Sequence, residues 1–335
     1  MAKALVTGAA GFIGSSLVKQ LVADGHSVAG IDNLSSGNLA NLQPVRHHMQ
    51  FHCGNICDGD LMRQLCAGVD VVFHEAALPS VPKSVLDPFT SHVNNIDGTL
   101  SVLLAARDAG VARLVYAASS SAYGDSAALP KCEAMPTAPV SPYAVQKLAG
   151  EHYMQCFSRV YGIETVCLRY FNVFGPCQAA DSPYSGVLAK FIIEMLGNIT
   201  PTIYGDGSQT RDFIYIQNVV RANMLAVSAP AEKVSGKVYN IACGESHTLL
   251  ETYKLIARLT GFAESPIFAA LRNGDIQHSL YIKLMFHSTI PPSFLDRLKQ
   301  LSVCESFRIK ILKRSVSISS RMSKERLKRS VRIMK

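Results

Sequence analysis

A run of about twenty apolar residues, which a membrane-spanning helix needs, occurs nowhere in the sequence. Charged residues are scarce at 17% while apolar ones make up 48%, so extensive disorder is excluded and a sizeable core is available. Glycine (23) and proline (15) are too few for collagen-like or low-complexity chain. The nine cysteines form no CxxC pair, and Cys53 and Cys57, four apart, have neither a second pair nor a histidine partner. Free thiols in a reducing compartment are therefore expected, and no metal site. No internal repeat is seen. Residues 1–8 run straight into a strand pattern with no signal peptide, so a cytoplasmic location is expected.

Glycine and alanine are missing altogether from residues 281–335, which carry 14 Lys/Arg against 3 Asp/Glu, a net of +11. The formal charge of the whole chain is +8, so residues 1–280 carry −3. The basic character belongs to the tail alone, and a nucleic-acid-binding role for the body does not follow from it.

What the sequence does contain is a rhythm. Short apolar runs at 4–7, 27–31, 50–53, 70–73, 113–116 and 165–168 are uninterrupted rather than alternating, the pattern of parallel strands covered on both faces. Amphipathic stretches at 15–24, 98–109 and 143–161 lie between them. The expected fold is α/β, a Rossmann-type doubly wound parallel sheet. Beyond Phe171 the rhythm loosens into Gly/Pro-rich chain at 174–186 and 197–211, with one more strand at 237–241 and a helix at 249–259. This predicts a smaller C-terminal lobe. At 335 residues, two domains fit the length, as does one large α/β unit with an appended lobe.

The turn Thr7-Gly8-Ala9-Ala10-Gly11-Phe12-Ile13-Gly14 follows a strand and opens a helix. Glycines there let the backbone approach a pyrophosphate, and the helix N-terminus offers N–H groups to it. Asp32, 18 residues beyond Gly14 at the end of the second strand, suits the adenosine ribose hydroxyls and repels a 2′-phosphate. NAD is thus expected as cofactor in preference to NADP. In Tyr143-Ala-Val-Gln-Lys147 the four-residue spacing puts both side chains on one helix face. A nearby ammonium, together with a cationic nicotinamide, would lower the tyrosine pKa from its usual value of about 10 and ready it as a base. Upstream, residues 114–124 read as a strand entering a serine-rich turn, where a serine can bond the same substrate hydroxyl.

With these motifs in this order, the sequence resembles the NAD-dependent epimerase/dehydratase family of extended short-chain dehydrogenases. Within it the likeness is to bacterial UDP-hexose 4-epimerases acting on UDP-N-acetylglucosamine or its uronic acid. The likeness covers residues 1–280 and rests on TGAAGFIG at 7–14, HEAALPSVPKSV at 74–85, the serine turn at 119–124, SPYAVQK at 141–147 and RYFNVFGP at 169–176. SPYSGV at 182–187, YGDGSQTRDFIY at 204–215 and RNGDIQHS at 272–279 complete it. The resemblance implies that Tyr143 is the base, Ser119, with Ser120 beside it, the hydroxyl-binding serine, and Lys147 the ligand of the nicotinamide ribose. It implies cofactor contacts from Gly8, Gly11, Phe12, Ile13, Gly14, Asp32, Asn33, Ser36, Asn95 and Tyr170. Asn55 and Ile56 fall at the adenine position, where the family usually has aspartate in place of Asn55. Ser80, Ser119, Asn172, Val187 and Tyr204 match substrate-side positions, Arg211 and Arg272 the arginines on the diphosphate, and Asp275 an acceptor for the uridine ribose. Ser279 stands where epimerases restricted to plain hexoses carry tyrosine, which leaves room for an N-acetyl group that Ser80 would bond.

The implied reaction is oxidation at C4 of a UDP-sugar, rotation of the 4-keto sugar, and return of the hydride to its other face. The resemblance implies acidic residues after the position of Ser119 in the family's dehydratases and decarboxylases; none stands in Ser120-Ser121-Ala122, which favours epimerisation over elimination. The implied setting is nucleotide-sugar metabolism and polysaccharide biosynthesis, with a homodimer pairing the helices near 98–109 and 143–161. The expected domains are 1–171 plus 212–242 for NAD and 172–211 plus 243–280 for the nucleotide sugar. Residues 281–335 are an atypical basic tail, read as a shifted frame or foreign terminus. An unusual folded terminus, or an arm for acidic lipid or nucleic acid, is the alternative. The other functions weighed are a UDP-uronate or UDP-glucose 4-epimerase, a related nucleotide-sugar enzyme, and a non-catalytic NAD-binding protein.

Overall fold

Apolar runs without alternation become parallel strands when helices cover both faces of a sheet, because no strand position then meets water. A computed structural model of the chain describes residues 2–126, 128–178, 186–271 and 280–281. In it the strands are β1 (Lys3–Thr7), β2 (Ser27–Asp32), β3 (Gln50–Cys53), β4 (Val71–His74), β5 (Arg113–Ser119), β6 (Glu164–Tyr170), β7 (Asn172–Phe174), β8 (Thr202–Tyr204), β9 (Thr210–Arg211), β10 (Phe213–Tyr215), β11 (Lys237–Ile241), β12 (His247–Thr248) and β13 (Ile267–Ala269). The α-helices are α1 (Phe12–Ala23), α2 (Gly59–Cys66), α3 (Val81–Leu86), α4 (Pro88–His92), α5 (Gly98–Asp108), α6 (Pro142–Tyr161), α7 (Val187–Leu196), α8 (Ile216–Ser228), α9 (Ala231–Val234) and α10 (Leu249–Thr260).

The chain divides into two compact units, the first made of Met1–Val173 with Ile214–Ala242. Its sheet has seven strands in the order β11-β6-β5-β4-β1-β2-β3, parallel at every pairing. This is the doubly wound α/β sheet expected from the sequence. The order reverses between β1 and β4, and the register pairs Thr7 with both Ile31 and His74. The carboxyl ends of β1, β2 and β4 therefore meet at the switch point, where such sheets bind ligands. Leu5, Ile31, Met62, Val72, Val102, Leu103, Leu114, Met154 and Phe157 form one buried cluster under α2, α5 and α6. Each such side chain contributes about 1.5–3 kcal/mol on burial. Elsewhere α1 and α8 pack on each other, with Leu17, Val18, Val219 and Val220 buried. Strand β5 runs to Ser119, three residues beyond the predicted end, and so delivers that serine at its tip.

Helix α6 starts where its sequence says it should. The Ser141 hydroxyl accepts the Ala144 N–H, Pro142 occupies the first turn, and Gly162 ends the helix at φ +74°. A buried bidentate pair, Arg169 on β6 with Glu151 at 2.7–3.1 Å, ties α6 to the sheet.

The second unit comprises Phe174–Phe213 and the described residues from Cys243 on. Phe191, Met195, Ile203, Tyr253 and Ile256 form its core between α7 and α10, and α10 opens on a capping box of Thr248 and Glu251. Strand β12 pairs antiparallel with β9, and β13 parallel with β8. The buried Asp212 carboxylate accepts N–H groups from Cys243 and Gly244 (both 2.9 Å) and from Tyr281 (3.3 Å). Tyr281, counted from sequence with the tail, is itself buried. The remaining tail, 282–335, lies outside the described residues. Among those described, no helix is long and apolar enough to cross a membrane.

Candidate active site

The glycine turn between β1 and α1 leaves no space for side chains. Gly8 has φ +67°, and a Cβ on it would lie 2.8 Å from the Ala76 nitrogen; one on Gly14 would lie 2.1 Å from the Gly8 carbonyl oxygen. Gly11 caps α1 with no side-chain hydrogen bond, so the first N–H groups of the helix, at Phe12 and Ile13, keep no capping partner. A bare backbone cradle and an uncapped helix start at a switch point are what a dinucleotide pyrophosphate requires. At the end of β2, Asp32 accepts the Ala10 N–H (3.0 Å) and the Leu34 N–H (2.8 Å). The carboxylate thus also stitches the two loops that flank the cradle. Two oxygens offer about four acceptor positions, so room remains for ribose hydroxyls. Asn33 and Ser36 are exposed on the following loop, with the Asn33 side chain accepting the Ser35 N–H.

The proposed catalytic groups converge within the same unit. Ser119 ends β5, and its Oγ accepts from the Ser121 N–H (3.2 Å) and the Ser121 hydroxyl (2.8 Å). With both acceptor positions used, its own proton is directed outward, and the hydroxyl acts on the Tyr143 phenol to favour its ionised form. Ser120 enters no hydrogen bond to Tyr143. The Tyr143 amide donates to Ser84 Oγ at 3.1 Å, fixing the start of α6. One turn on, the buried Lys147 donates to the Ala117 carbonyl at 2.8 Å and lies 4.9 Å over the Tyr116 ring.

Burial sets the electrostatics of the protein's own groups. Burial pushes the Tyr143 phenol up, to about 12, and the Ser119 hydrogen bond only partly offsets it. Burial likewise brings Lys147 down to about 8, against the opposing pull of Glu75 and Glu151. In the protein alone, the ammonium does not bring the tyrosine below its usual value, because desolvation is the larger effect on both groups.

Five assigned residues have partners or packing within the protein. Asn95, in a π-helical turn at Val93–Asp97, is buried; it accepts the Leu78 N–H (2.8 Å) and donates to Gln146 Oε1 (2.8 Å). It braces the 74–80 loop against α6. The Ser80 hydroxyl caps α3 by accepting the Lys83 N–H at 3.2 Å. Ile56 is a core residue, while Asn55 is exposed with its Oδ1 on the Cys57 N–H. The Tyr170 hydroxyl donates to Glu75 (2.9 Å) and accepts from Asn223 (2.7 Å). Asn172 lies in β7, and in the second unit Val187 opens α7, Tyr204 ends β8 and Arg211 ends β9. Arg272, Asp275 and Ser279 lie outside the described residues. Glu75 and Gln146 escaped the sequence reading although both stand inside quoted motifs; only their burial marks them out.

Compared with known proteins, residues 4–242 match the profile of the NAD dependent epimerase/dehydratase family. The chain belongs to that family. A UDP-glucose 4-epimerase of Mycolicibacterium smegmatis is 40% identical over 281 residues, 83% of this chain and 88% of the relative. Among solved structures, a UDP-N-acetylglucosamine 4-epimerase from Methanobrevibacter ruminantium, in complex with UDP-N-acetylmuramic acid, shares 38% identity at TM-score 0.80, covering 89% of this chain and 96% of that one. A UDP-glucose 4-epimerase of Thermotoga maritima with UDP-glucose shares 34% at TM-score 0.81, covering 91% and 98%. As a family member the protein is an enzyme whose cofactor is NAD, and the cradle of Gly8, Gly11 and Gly14 with Asp32 fits that group.

Proposed function

We propose that the protein is a UDP-sugar 4-epimerase using bound NAD, and that its substrate pair is UDP-N-acetylglucosamine and UDP-N-acetylgalactosamine. The observation that carries the reading is the placement of Tyr143 on α6 one turn before the buried Lys147, with the Ser119 hydroxyl at the end of β5 acting on the phenol to favour its ionised form. Two such hydroxyls can share one sugar hydroxyl, with Tyr143 taking its proton and Ser119 holding the oxygen. NAD supplies the hydride acceptor and donor. Lys147 holds the cofactor's nicotinamide ribose, and the positive charge of lysine and cofactor together draws the phenol back down from about 12. Around Ser119 the turn offers only serine and alanine, with no acid to drive elimination.

In this reading residues 1–171 and 212–242 hold NAD, while 172–211 and 243–280 take the nucleotide sugar, with Arg211 and Arg272 on the diphosphate, where a guanidinium fork suits the oxygens. Serine at position 279, where the likeness puts tyrosine in epimerases restricted to plain hexoses, favours the N-acetyl sugar. The test is mass spectrometry of the nucleotide released on denaturation, together with turnover of UDP-N-acetylglucosamine, UDP-glucose and UDP-glucuronate. Released NAD with preferred turnover of the N-acetyl sugar supports the reading. Preference for glucuronate transfers it to the uronate epimerase, and bound NAD with no turnover of any sugar supports a non-catalytic binder. Ser279→Tyr should lower kcat/KM for UDP-N-acetylglucosamine selectively; an equal loss for UDP-glucose removes the serine as a size gate.

A further inference from the structure

Arg169 has no part in the reading above, yet it joins the two elements that carry the proposed catalytic groups. On β6 it lies in register with Ala118 of β5, the residue before Ser119, and with Asn240 of β11. The edge of its guanidinium holds Glu151 through three contacts of 2.7–3.1 Å. Tyr143, Lys147 and Glu151 follow one another at four-residue spacing on α6, so the carboxylate continues the stripe that carries the phenol. The same guanidinium lies over the Tyr123 ring, 4.7 Å from its centroid. Tyr123 ends the 3-10 turn Ser120–Tyr123, and its hydroxyl donates to Asn240 Oδ1 at 2.8 Å. Arg169, Glu151, Tyr123 and Asn240 are all buried, and a planar cation can hold a carboxylate at its edge and an aromatic ring on its face together. From Tyr123 the turn leads back to the proposed catalytic serine, because the Ser121 N–H and hydroxyl both donate to Ser119 Oγ.

We propose that Arg169 is a positioning residue: by clamping Glu151 of α6 at its edge and Tyr123 of the serine turn on its face, it sets the place of Ser119 relative to Tyr143. In the proposed epimerisation these two side chains must meet one sugar oxygen, and the role of Arg169 rests on that reading. The ion pair alone would fix α6 to β6 and leave the turn free. The ring stacked on the same guanidinium joins the turn to that body. What the brace controls is direction. With Ser121 held, both acceptor positions of Ser119 Oγ are filled and its proton is aimed outward. With Ser121 released, the hydroxyl can turn away, and the sugar oxygen loses one of its two holders. Neither Arg169 nor Tyr123 is among the residues assigned to NAD or to the nucleotide, so the loss falls on kcat and not on KM.

The test contrasts two substitutions of the stacked ring. Tyr123→Leu removes the ring from the guanidinium, whereas Tyr123→Phe keeps it and removes only the bond to Asn240. Tyr123→Leu should lower kcat about tenfold at unchanged KM, and Tyr123→Phe should stay within about threefold of the parent. In hydrogen exchange read by mass spectrometry, the amides of 119–124 should exchange about tenfold faster in the leucine variant and at the parental rate in the phenylalanine variant. The amides of α6 should be equally protected in all three proteins; a merely structural loss would speed their exchange as well. Parental exchange at the turn in Tyr123→Leu overturns the proposal. So does a phenylalanine variant that loses as much as the leucine one, which would assign the turn to the Asn240 bond. If Tyr123→Leu does not fold, Arg169→Lys takes its place with the same expected loss, since it keeps the charge against Glu151 and gives up the flat face. The exchange contrast does not depend on turnover. If it appears in a protein that turns over no UDP-sugar, the brace stands and the epimerase reading fails; turnover without the contrast removes the brace alone.

Discussion

Tyr143 carries the sharpest residue-scale prediction, because a single oxygen is asked to accept the proton. Its amide is bonded to Ser84 and the start of its helix is capped by Ser141, so replacing it with phenylalanine leaves the backbone and the glycine cradle untouched. Tyr143→Phe should release as much NAD on denaturation as the parent while turnover falls by about 10²–10⁴-fold. Activity within about threefold of the parent would remove Tyr143 as the base. The spacing of Tyr143, Lys147 and Ser119 was legible because it is local: one helix face and one strand end hold all three. The rise of the phenol to about 12 was not, since it depends on how deeply tertiary packing desolvates the ring. For the same reason the bond from Asn95 to Gln146 was not legible in its motif.

Between elements, the strongest device is a directed chain through His74. Thr99 gives its proton to the Asn95 carbonyl (2.7 Å), so it accepts from His74 Nε2–H; the other ring nitrogen then accepts from Thr7, which takes the Ala76 N–H. The hydrogen bonds thus assign a neutral imidazole linking β1, β4 and α5. Burial first, then the Lys147 charge, lower the His74 pKa to about 3. Because the folded value lies below the unfolded 6.5, the unfolded chain binds the extra proton between these limits. The His74 contribution is whole above pH 6.5 and drains as the pH falls, with a slope approaching about 1.4 kcal/mol per pH unit. His74→Asn should be less stable at pH 7.5 but show a shallower loss in urea unfolding between pH 6.5 and 4, since one titrating group is gone; identical slopes would mean that the imidazole is not held neutral. Opposing carboxyls such as Asp212, raised to about 6 by burial, are common to both proteins and cancel in the difference. The long elements of this layer were readable: uninterrupted apolar runs became the parallel strands, and residues 143–161 became α6. The short ones were not. Helices α3 and α4 span six and five residues, and the 3-10 stretch Leu39–His48 contains Pro44, so none offers enough periodicity to register.

At the scale of the whole molecule, the question is what covers the helices on one side of the first unit. Helices α3, α4 and α5 all pack against α6. Together they expose Val85, Leu86 and Phe89, the last at 77%, with Leu104 on α5 and Val145, Val160 and Tyr161 on α6. Apolar side chains gathered on adjoining helices, rather than scattered singly, mark an association surface. The sequence pointed to α5 and α6 through family likeness, but periodicity alone could not, because both also bury a face in the core. We expect the protein to sediment at micromolar concentration as a homodimer, twice its 36.3 kDa. Phe89→Glu combined with Leu104→Glu should shift it to the monomer. A carboxylate buried without a partner costs several kcal/mol per ion, and a two-fold contact repeats each substitution on both sides. Neither residue belongs to the core, so the variant should unfold at the same urea midpoint as a monomeric parent would. A parent that sediments as a monomer, or a doubly substituted protein that remains a dimer, would locate the association surface elsewhere or remove it.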